Sequence, residues 1–177
     1  MRFLDESKVL FCKLDENAMI PTRENGNIGY DVYCLFNEDY IVIEPYKLAK
    51  LHTGIASVMC DRYAMILHER SSVGSKNIAL RAGVIDSSYN GEWRVVLTNL
   101  NDIPVIIAKS YVTDFELKEK GYKKFIRLSY EHAIVQAILQ EDFKVKVEEI
   151  SKDELIKYET KRGNKGFGST NKDNGRK

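Results

Sequence analysis

Short apolar segments follow one another along most of this chain, each too short for a stable helix and each ended by a polar or glycine-containing break. Residues 9–14, 30–35, 40–43, 48–58 and 63–68 are rich in β-branched and aromatic side chains, which suit a pleated, half-buried backbone. Residues 84–85, 93–97, 105–108, 134–139 and 143–147 continue the series. The breaks include Asn25-Gly26-Asn27, Asn37-Glu38-Asp39 and Ser88-Tyr89-Asn90-Gly91. Asn90-Gly91 between two apolar runs is a hairpin signal. Strands this short and this regularly spaced imply an all-β antiparallel sandwich or barrel.

Helix signals are few. Ser151-Lys152-Asp153-Glu154 reads as a capping box that starts a short helix through Ile156. Residues 115–120 suit a single helical turn before Gly121, within a stretch (109–124) whose polar, charged and aromatic alternation reads as an exposed hairpin or loop. After Tyr158 the apolar periodicity stops. This predicts a β domain over 1–158 and a flexible arm over 159–177.

The 177 residues, 44% hydrophobic, suffice for one domain with a core. The net charge of +1 argues against a dedicated nucleic-acid binder. The charge is uneven, however. Lys161, Arg162, Lys165, Lys172, Arg176 and Lys177 face only Asp173 in the last stretch, so a basic tail follows a slightly acidic body and suits a small anionic ligand. Cys12, Cys34 and Cys60 are isolated and odd in number, which reads as reduced thiols and not as a disulfide or zinc framework. The N-terminal residues are broken by charge and lack a signal-peptide core. No apolar run is long enough to span a bilayer. A soluble, cytoplasmic protein is expected.

Four segments carry candidate chemistry. In Gly83-Val84-Ile85-Asp86-Ser87-Ser88-Tyr89-Asn90-Gly91-Glu92 a carboxylate ends a short apolar strand and a tyrosine sits at the turn. Asp86 there either activates a water or caps the turn. Arg70-Ser71-Ser72-Val73-Gly74-Ser75-Lys76 offers charge-assisted donors and close backbone approach to phosphate, without Walker A spacing. Asp31, inside the strand-like Gly29-Tyr30-Asp31-Val32-Tyr33, either serves a hard cation or is an edge-strand acid with an Arg or backbone partner. Arg162-Gly163-Asn164-Lys165-Gly166-Phe167-Gly168-Ser169-Thr170 is too glycine-rich for regular structure but can wrap a phosphate chain, with Phe167 as a lid for a flat base. Its alternative is a disordered basic tail. His52, His68 and His132 show neither metal nor triad spacing and read as structural or surface residues.

Taken together and in this order, these segments resemble the motifs of the trimeric dUTPase family. Gly29–Tyr33, Arg70–Lys76, Gly83–Glu92 and Arg162–Thr170 look like its first, second, third and fifth motifs, and Glu16-Asn17-Ala18-Met19-Ile20-Pro21-Thr22 resembles its opening. The fourth motif departs. The family reads roughly Gly-Asp-Arg-Ile-Ala-Gln-Leu, whereas this chain has Glu131-His132-Ala133-Ile134-Val135-Gln136-Ala137. Residues 109–125 are extra relative to compact members, and Glu69 stands where proline is usual.

The resemblance implies a jelly-roll β-barrel with one or two short helices, a homotrimer with active sites at subunit interfaces, and Mg²⁺-dependent hydrolysis of dUTP to dUMP and pyrophosphate. This reaction limits uracil in DNA and supplies dUMP for dTMP synthesis. By the same resemblance Asp86 is the general base, Asp31 places Mg²⁺ through a water, and Tyr89 packs under the deoxyribose. Gly83, Val84 and Ile85 read uracil through backbone groups. Arg70, Ser71 and Ser72 hold phosphates, and Gln136 reaches them from the neighbouring subunit. Arg162, Phe167, Gly168, Ser169 and Thr170 close over the nucleotide. Two other readings share the scaffold. A dCTP deaminase needs a glutamate in the strand after the turn, and Trp93-Arg94-Val95-Val96-Leu97-Thr98 has none. A dUTP-binding regulatory protein would use the 109–125 insertion, with Tyr111, Phe115 and Tyr122, to contact a protein partner.

Overall fold

Two long strands, β6 (Tyr63–Glu69) and β12 (Val135–Glu141), pair antiparallel from Val135 opposite Glu69 to Glu141 opposite Tyr63. They form the middle of a four-stranded sheet, with β2 (Tyr30–Val32) beyond β12 and β8 (Val84–Asp86) beyond β6. These elements come from a computed structural model that describes residues 7–158, Thr160 and Gly163. Three smaller sheets accompany this one. The first pairs β1 (Leu10–Lys13) with β5 (Ile55–Val58). The second orders β4 (Leu48–His52), β9 (Arg94–Asn99) and β7 (Ile78–Arg81), with β9 central. The third places β10 (Val105–Ala108) between β3 (Tyr40–Ile43) and β11 (Ile126–Ser129). The β10–β11 pair is parallel and the other strand pairs are antiparallel.

The inward faces of these sheets share one core. Val95 and Leu97 of β9 alternate with more exposed neighbours, as a strand with one buried face requires. Trp93, Ile43, Ile55, Met65, Ile78 and Ile134 are fully buried beside them. The Trp93 indole N–H donates to Ser57 Oγ at 3.0 Å, and the Phe11 ring meets the indole edge-on at 5.4 Å. Asn99 is buried without cost because its amide donates to the carbonyls of Ile43 and Ile103, each at 2.9 Å, and so ties β9 to the end of β3.

Several expectations need correction. Residues 48–58 form two strands, β4 and β5, because Thr53-Gly54 breaks the run with Gly54 at φ +67°. Asn90-Gly91 closes no hairpin: β8 pairs with β6, whereas β9 pairs with β4 and β7, so the chain changes sheets at this turn. Residues 143–147 form no strand, and Phe143, Val145 and Val147 are strongly exposed. The short strands β7 and β11 carry little sequence signal, because an arginine ends the one and splits the apolar residues of the other.

Residues 109–125 are not a hairpin. They cross over between the parallel strands β10 and β11 and contain helix α2 (Asp114–Glu119). Thr113 caps it: Oγ1 accepts the Glu116 N–H at 3.2 Å while the Glu116 carboxylate accepts the Thr113 N–H at 2.7 Å. Leu117 and Val112 are buried with Ile106 and Ala108 in a second, smaller core, against which Tyr40, Val42, Tyr122 and Phe125 pack. Phe115 and Tyr111 stay exposed. A single turn, α1 (Ser71–Gly74), was also unforeseen; the Arg70 carbonyl accepts the N–H groups of both Val73 and Gly74.

The chain divides into two compact units, Met1–Phe143 and Lys144–Lys177, a division earlier in the chain than the change of composition after Tyr158. The second contains α3 (Lys152–Leu155), capped by Ser151 accepting the Glu154 N–H at 3.1 Å, as the capping box predicts. Among the described residues no helix is long and apolar enough to cross a membrane.

Candidate functional site

The four-stranded sheet carries the Asp31, Gln136 and Asp86 segments, and the Arg70 segment follows the end of β6. Asp31 in β2 lies directly opposite Gln136 in β12, and Gln136 lies opposite His68 in β6. Arg70 follows the end of β6. The pleat therefore gathers Asp31, Gln136 and Arg70 at one end of the sheet, around a cavity of about 510 Å³ that Ser71, Ser72 and Gly29 also line.

Arg70 is held as a fork. Its Nε meets Asp31 Oδ1 at 3.0 Å, its Nη2 donates to Asp31 Oδ2 at 3.2 Å, and its Nη1 donates to the Ala133 carbonyl at 2.9 Å. This planar, two-oxygen match is one that lysine cannot reproduce. Gln136 Nε2 donates to the Glu69 carbonyl at 2.9 Å, which fixes the residue just before Arg70. Gly29 packs closely here: a Cβ there would stand 2.5 Å from Gln136 Oε1, so a larger residue would displace this amide. In contrast, the Ser71 and Ser72 hydroxyls have no hydrogen-bond partner among the described residues. A fixed cation flanked by uncommitted hydroxyls is an anion-binding arrangement.

Of the two readings of Asp31, the edge-strand acid with an arginine partner is the one seen: both carboxylate oxygens face Arg70. Among the described residues no group of three or more acidic, His or Cys side chains gathers to hold a metal. A single carboxylate fits only a hard cation that draws most of its oxygens from water and from phosphate, as Mg²⁺ does.

The Asp86 segment is built differently. The Asp86 carbonyl accepts the Tyr89 N–H at 3.0 Å and closes the turn, so the backbone does the work expected of a capping side chain. The exposed Asp86 carboxylate has no hydrogen-bond or ion-pair partner among the described residues. Ile85 is buried and anchors the strand, while Val84 on the opposite face is 62% exposed. The Tyr89 ring folds over Gly91, where a Cβ would meet it at 2.7 Å, and its hydroxyl donates to the Glu92 carbonyl at 2.8 Å.

Glu92 is the part of this segment that sequence reading missed. Its carboxylate accepts the N–H groups of Gly54 (3.0 Å) and Thr53 (3.2 Å) and pairs with Arg94 (2.8 Å) and His52 (3.1 Å). Burial raises its pKa, but the Gly54 N–H, His52, Arg94 and the Thr53 N–H outweigh burial and hold it below the usual carboxylate value. The glutamate thus pins the turn that presents Tyr89 to the sheet behind it. Only its place next to Asn90-Gly91 hinted at this.

A family model for dUTPase matches residues 15–111, more than half of the chain. The chain belongs to the dUTPase family. Curated relatives agree: it is 36% identical over 106 residues to the deoxyuridine 5'-triphosphate nucleotidohydrolase of Hydrogenobaculum sp., covering 58% of this chain and 72% of that protein. It is 30% identical over 167 residues to that of Clostridium novyi, covering 92% and 98%. Among solved structures, a mutant of the Staphylococcus bacteriophage 80alpha dUTPase with dUpNHpp superposes at a TM-score of 0.71 and 20% identity, over 93% of this chain and 98% of that one. The dUTPase of phage phi11, whose structure visualises a species-specific insert, gives 0.63 at 19% identity, over 82% and 97%. The fold is the dUTPase β jelly roll.

Within this dUTPase chain the predicted residues fall into two groups. Asp31, Arg70, Ser71, Ser72 and Gln136 share the cavity, so Gln136 stands beside Arg70 of its own chain and not across a subunit boundary as expected. Gly83, Val84, Ile85, Asp86 and Tyr89 do not line it. Asp86 pairs opposite Ala64 near the start of β6, whereas Arg70 follows its end. Six residues of strand at about 3.3 Å each put Asp86 and Arg70 roughly 20 Å apart along β6. Arg162, Phe167, Gly168, Ser169 and Thr170 lie outside the described residues.

Proposed function

We propose that this dUTPase hydrolyses dUTP to dUMP and pyrophosphate with Mg²⁺, in a homotrimer whose sites join two chains. The observation that carries the reading is the pairing of opposites: Arg70 is immobilised by Asp31 and Ala133, while the exposed Asp86 carboxylate is uncommitted among the described residues. A phosphate grip needs the first and a general base needs the second. Their separation along β6 supports a neighbouring copy that brings its Asp86 turn to this chain's Arg70 cavity.

In this reading Arg70, Ser71, Ser72 and Gln136 hold phosphate oxygens, Asp86 takes a proton from the attacking water, and Tyr89 lies under the deoxyribose. The backbone of Gly83, Val84 and Ile85 reads uracil. Arg162, Phe167, Gly168, Ser169 and Thr170 supply further phosphate and base contacts. Mg²⁺, when bound, would neutralise the developing charge on the leaving pyrophosphate, and Asp31 would orient one of its waters while keeping Arg70 as its partner. A phage phi11 relative is described with a structural Mg(II) ion. The test is pyrophosphate release from dUTP with Mg²⁺, with UTP, dCTP and dTTP as controls. Turnover of dUTP alone is expected; folded protein without dUTP turnover refutes the reading.

A further inference from the structure

We propose that Glu131 is a positioning residue for Arg70, acting through the 129–133 turn, with the 109–125 insertion as the support it braces against. This rests on the reading of Arg70 as a phosphate ligand. One of Arg70's three bonds goes to the Ala133 carbonyl, 2.9 Å away, in the gap between β11 and β12. A carbonyl outside regular structure stays aimed only if the surrounding turn is fixed. The His132 N–H closes the turn onto the Ser129 carbonyl at 3.2 Å.

Glu131 then ties it outward. Its Oε1 accepts the Ser110 N–H at 2.8 Å and its Oε2 accepts the Ser129 hydroxyl at 2.6 Å. Ser110 opens the insertion. From β11, Arg127 donates to the carbonyls of Val112 (2.7 Å) and Lys109 (3.2 Å) and pairs with Asp114 at the start of α2 (3.0 Å). The Tyr130 N–H donates to the Ala108 carbonyl at 2.9 Å. The first turn of the insertion is therefore clamped to the chain leading into Ala133, at Arg127 and at Glu131, with Tyr130 tied to the end of β10. Ser129, together with the N–H of Ser110, holds the Glu131 carboxyl at about 2, so both its oxygens accept at neutral pH. Glu131 stands where the family pattern has glycine, and Ala133 offers no side chain that could steady the turn itself.

The experiment uses the full chain with saturating Mg²⁺. Glu131→Ala should raise KM for dUTP about five- to tenfold, the effect of losing charge-assisted bonds that steady a binding group, with kcat within about twofold. Glu131→Gln, whose amide oxygen still accepts, should recover most of the loss, and Ser129→Ala should give a smaller rise. Calorimetric titration with Mg²⁺–pyrophosphate on the same proteins should show the same order of affinities, and it reports on Arg70 without turnover. Unchanged KM and pyrophosphate affinity in folded Glu131→Ala overturns the assignment. So does a loss that tracks melting temperature and is not rescued by glutamine. Wild-type protein that binds pyrophosphate in this order but does not turn over dUTP refutes the proposed function and leaves the positioning role standing.

Discussion

Replacing Arg70 by lysine separates geometry from charge. Arg70 makes three contacts, two to Asp31 at 3.0 and 3.2 Å and one to the Ala133 carbonyl at 2.9 Å. The two side chains of the ion pair are 30% and 36% exposed, so solvent screens them. Each contact is then worth about 1 kcal/mol, not the full value of a buried charged hydrogen bond. An ammonium group on an unbranched stem can keep a carboxylate contact. It cannot also span to Ala133, which is only 4% exposed and would lose its partner. The expected loss of alignment is about 1–2 kcal/mol, or roughly 5- to 30-fold in kcat/KM, mostly through KM. Steady-state pyrophosphate release at two salt concentrations measures it, with Arg70→Ala as the charge-removing comparison. The salt dependence of R70K should match wild type, because the charge is kept. If R70K stays within twofold of wild type, the fork contributes nothing and the site works by point charge alone.

Asp86→Asn should lower kcat by about two to four orders of magnitude, the worth of a general base, while dUTP affinity measured by titration changes little. A chain ending at Thr160 should lose most turnover yet melt with the full-length protein; equal activity would remove the arm from the site. Leu117→Ala should destabilise the first unit by about 2–3 kcal/mol, the low end for a buried leucine because the second core is small; denaturant titration checks it, and a solvated loop would show no change. The Glu131 carboxyl, lowered from 4.5 to about 2 first by the Ser129 hydroxyl, stabilises the fold fully above pH 4.5 and loses that contribution as pH falls toward 2. Melting curves of Glu131→Gln should accordingly be flatter than wild type across that window.

The barrel was legible in the sequence because most of its strands announce themselves by β-branched and aromatic runs, as at Tyr40–Ile43 and Val105–Ala108. For the site, the sequence marks Arg70 and Asp31 by residue type, and an edge-strand acid with an arginine partner is one of its readings; that Gln136 joins them within the same chain was not legible. What stayed hidden depends on pairing between distant strands. The Asn90-Gly91 dipeptide favours a tight hairpin locally, yet β8 and β9 are claimed by different partners, and Gly91 serves the Tyr89 ring instead. The Ala133 carbonyl is an acceptor any residue could provide, so no side chain marks it. The insertion misled because its apolar residues are few; Val112 and Leu117 become core only once β10 and β11 lie side by side.

That parallel pair has a consequence for how this chain can vary. Neighbouring parallel strands need a connection of about a dozen residues or more, whereas antiparallel ones can be joined by two. Residues 109–125 are thus the span that lets β11 run beside β10 in the same direction. Excising them would not trim an ornament: the chain would have to reverse β11 or abandon it, and the turn that presents Ala133 would go with it. Changes to the outward side chains, Phe115 and Tyr111, are free of this constraint. Sequence drift is therefore expected to alter what the crossover shows to solvent long before it alters its length.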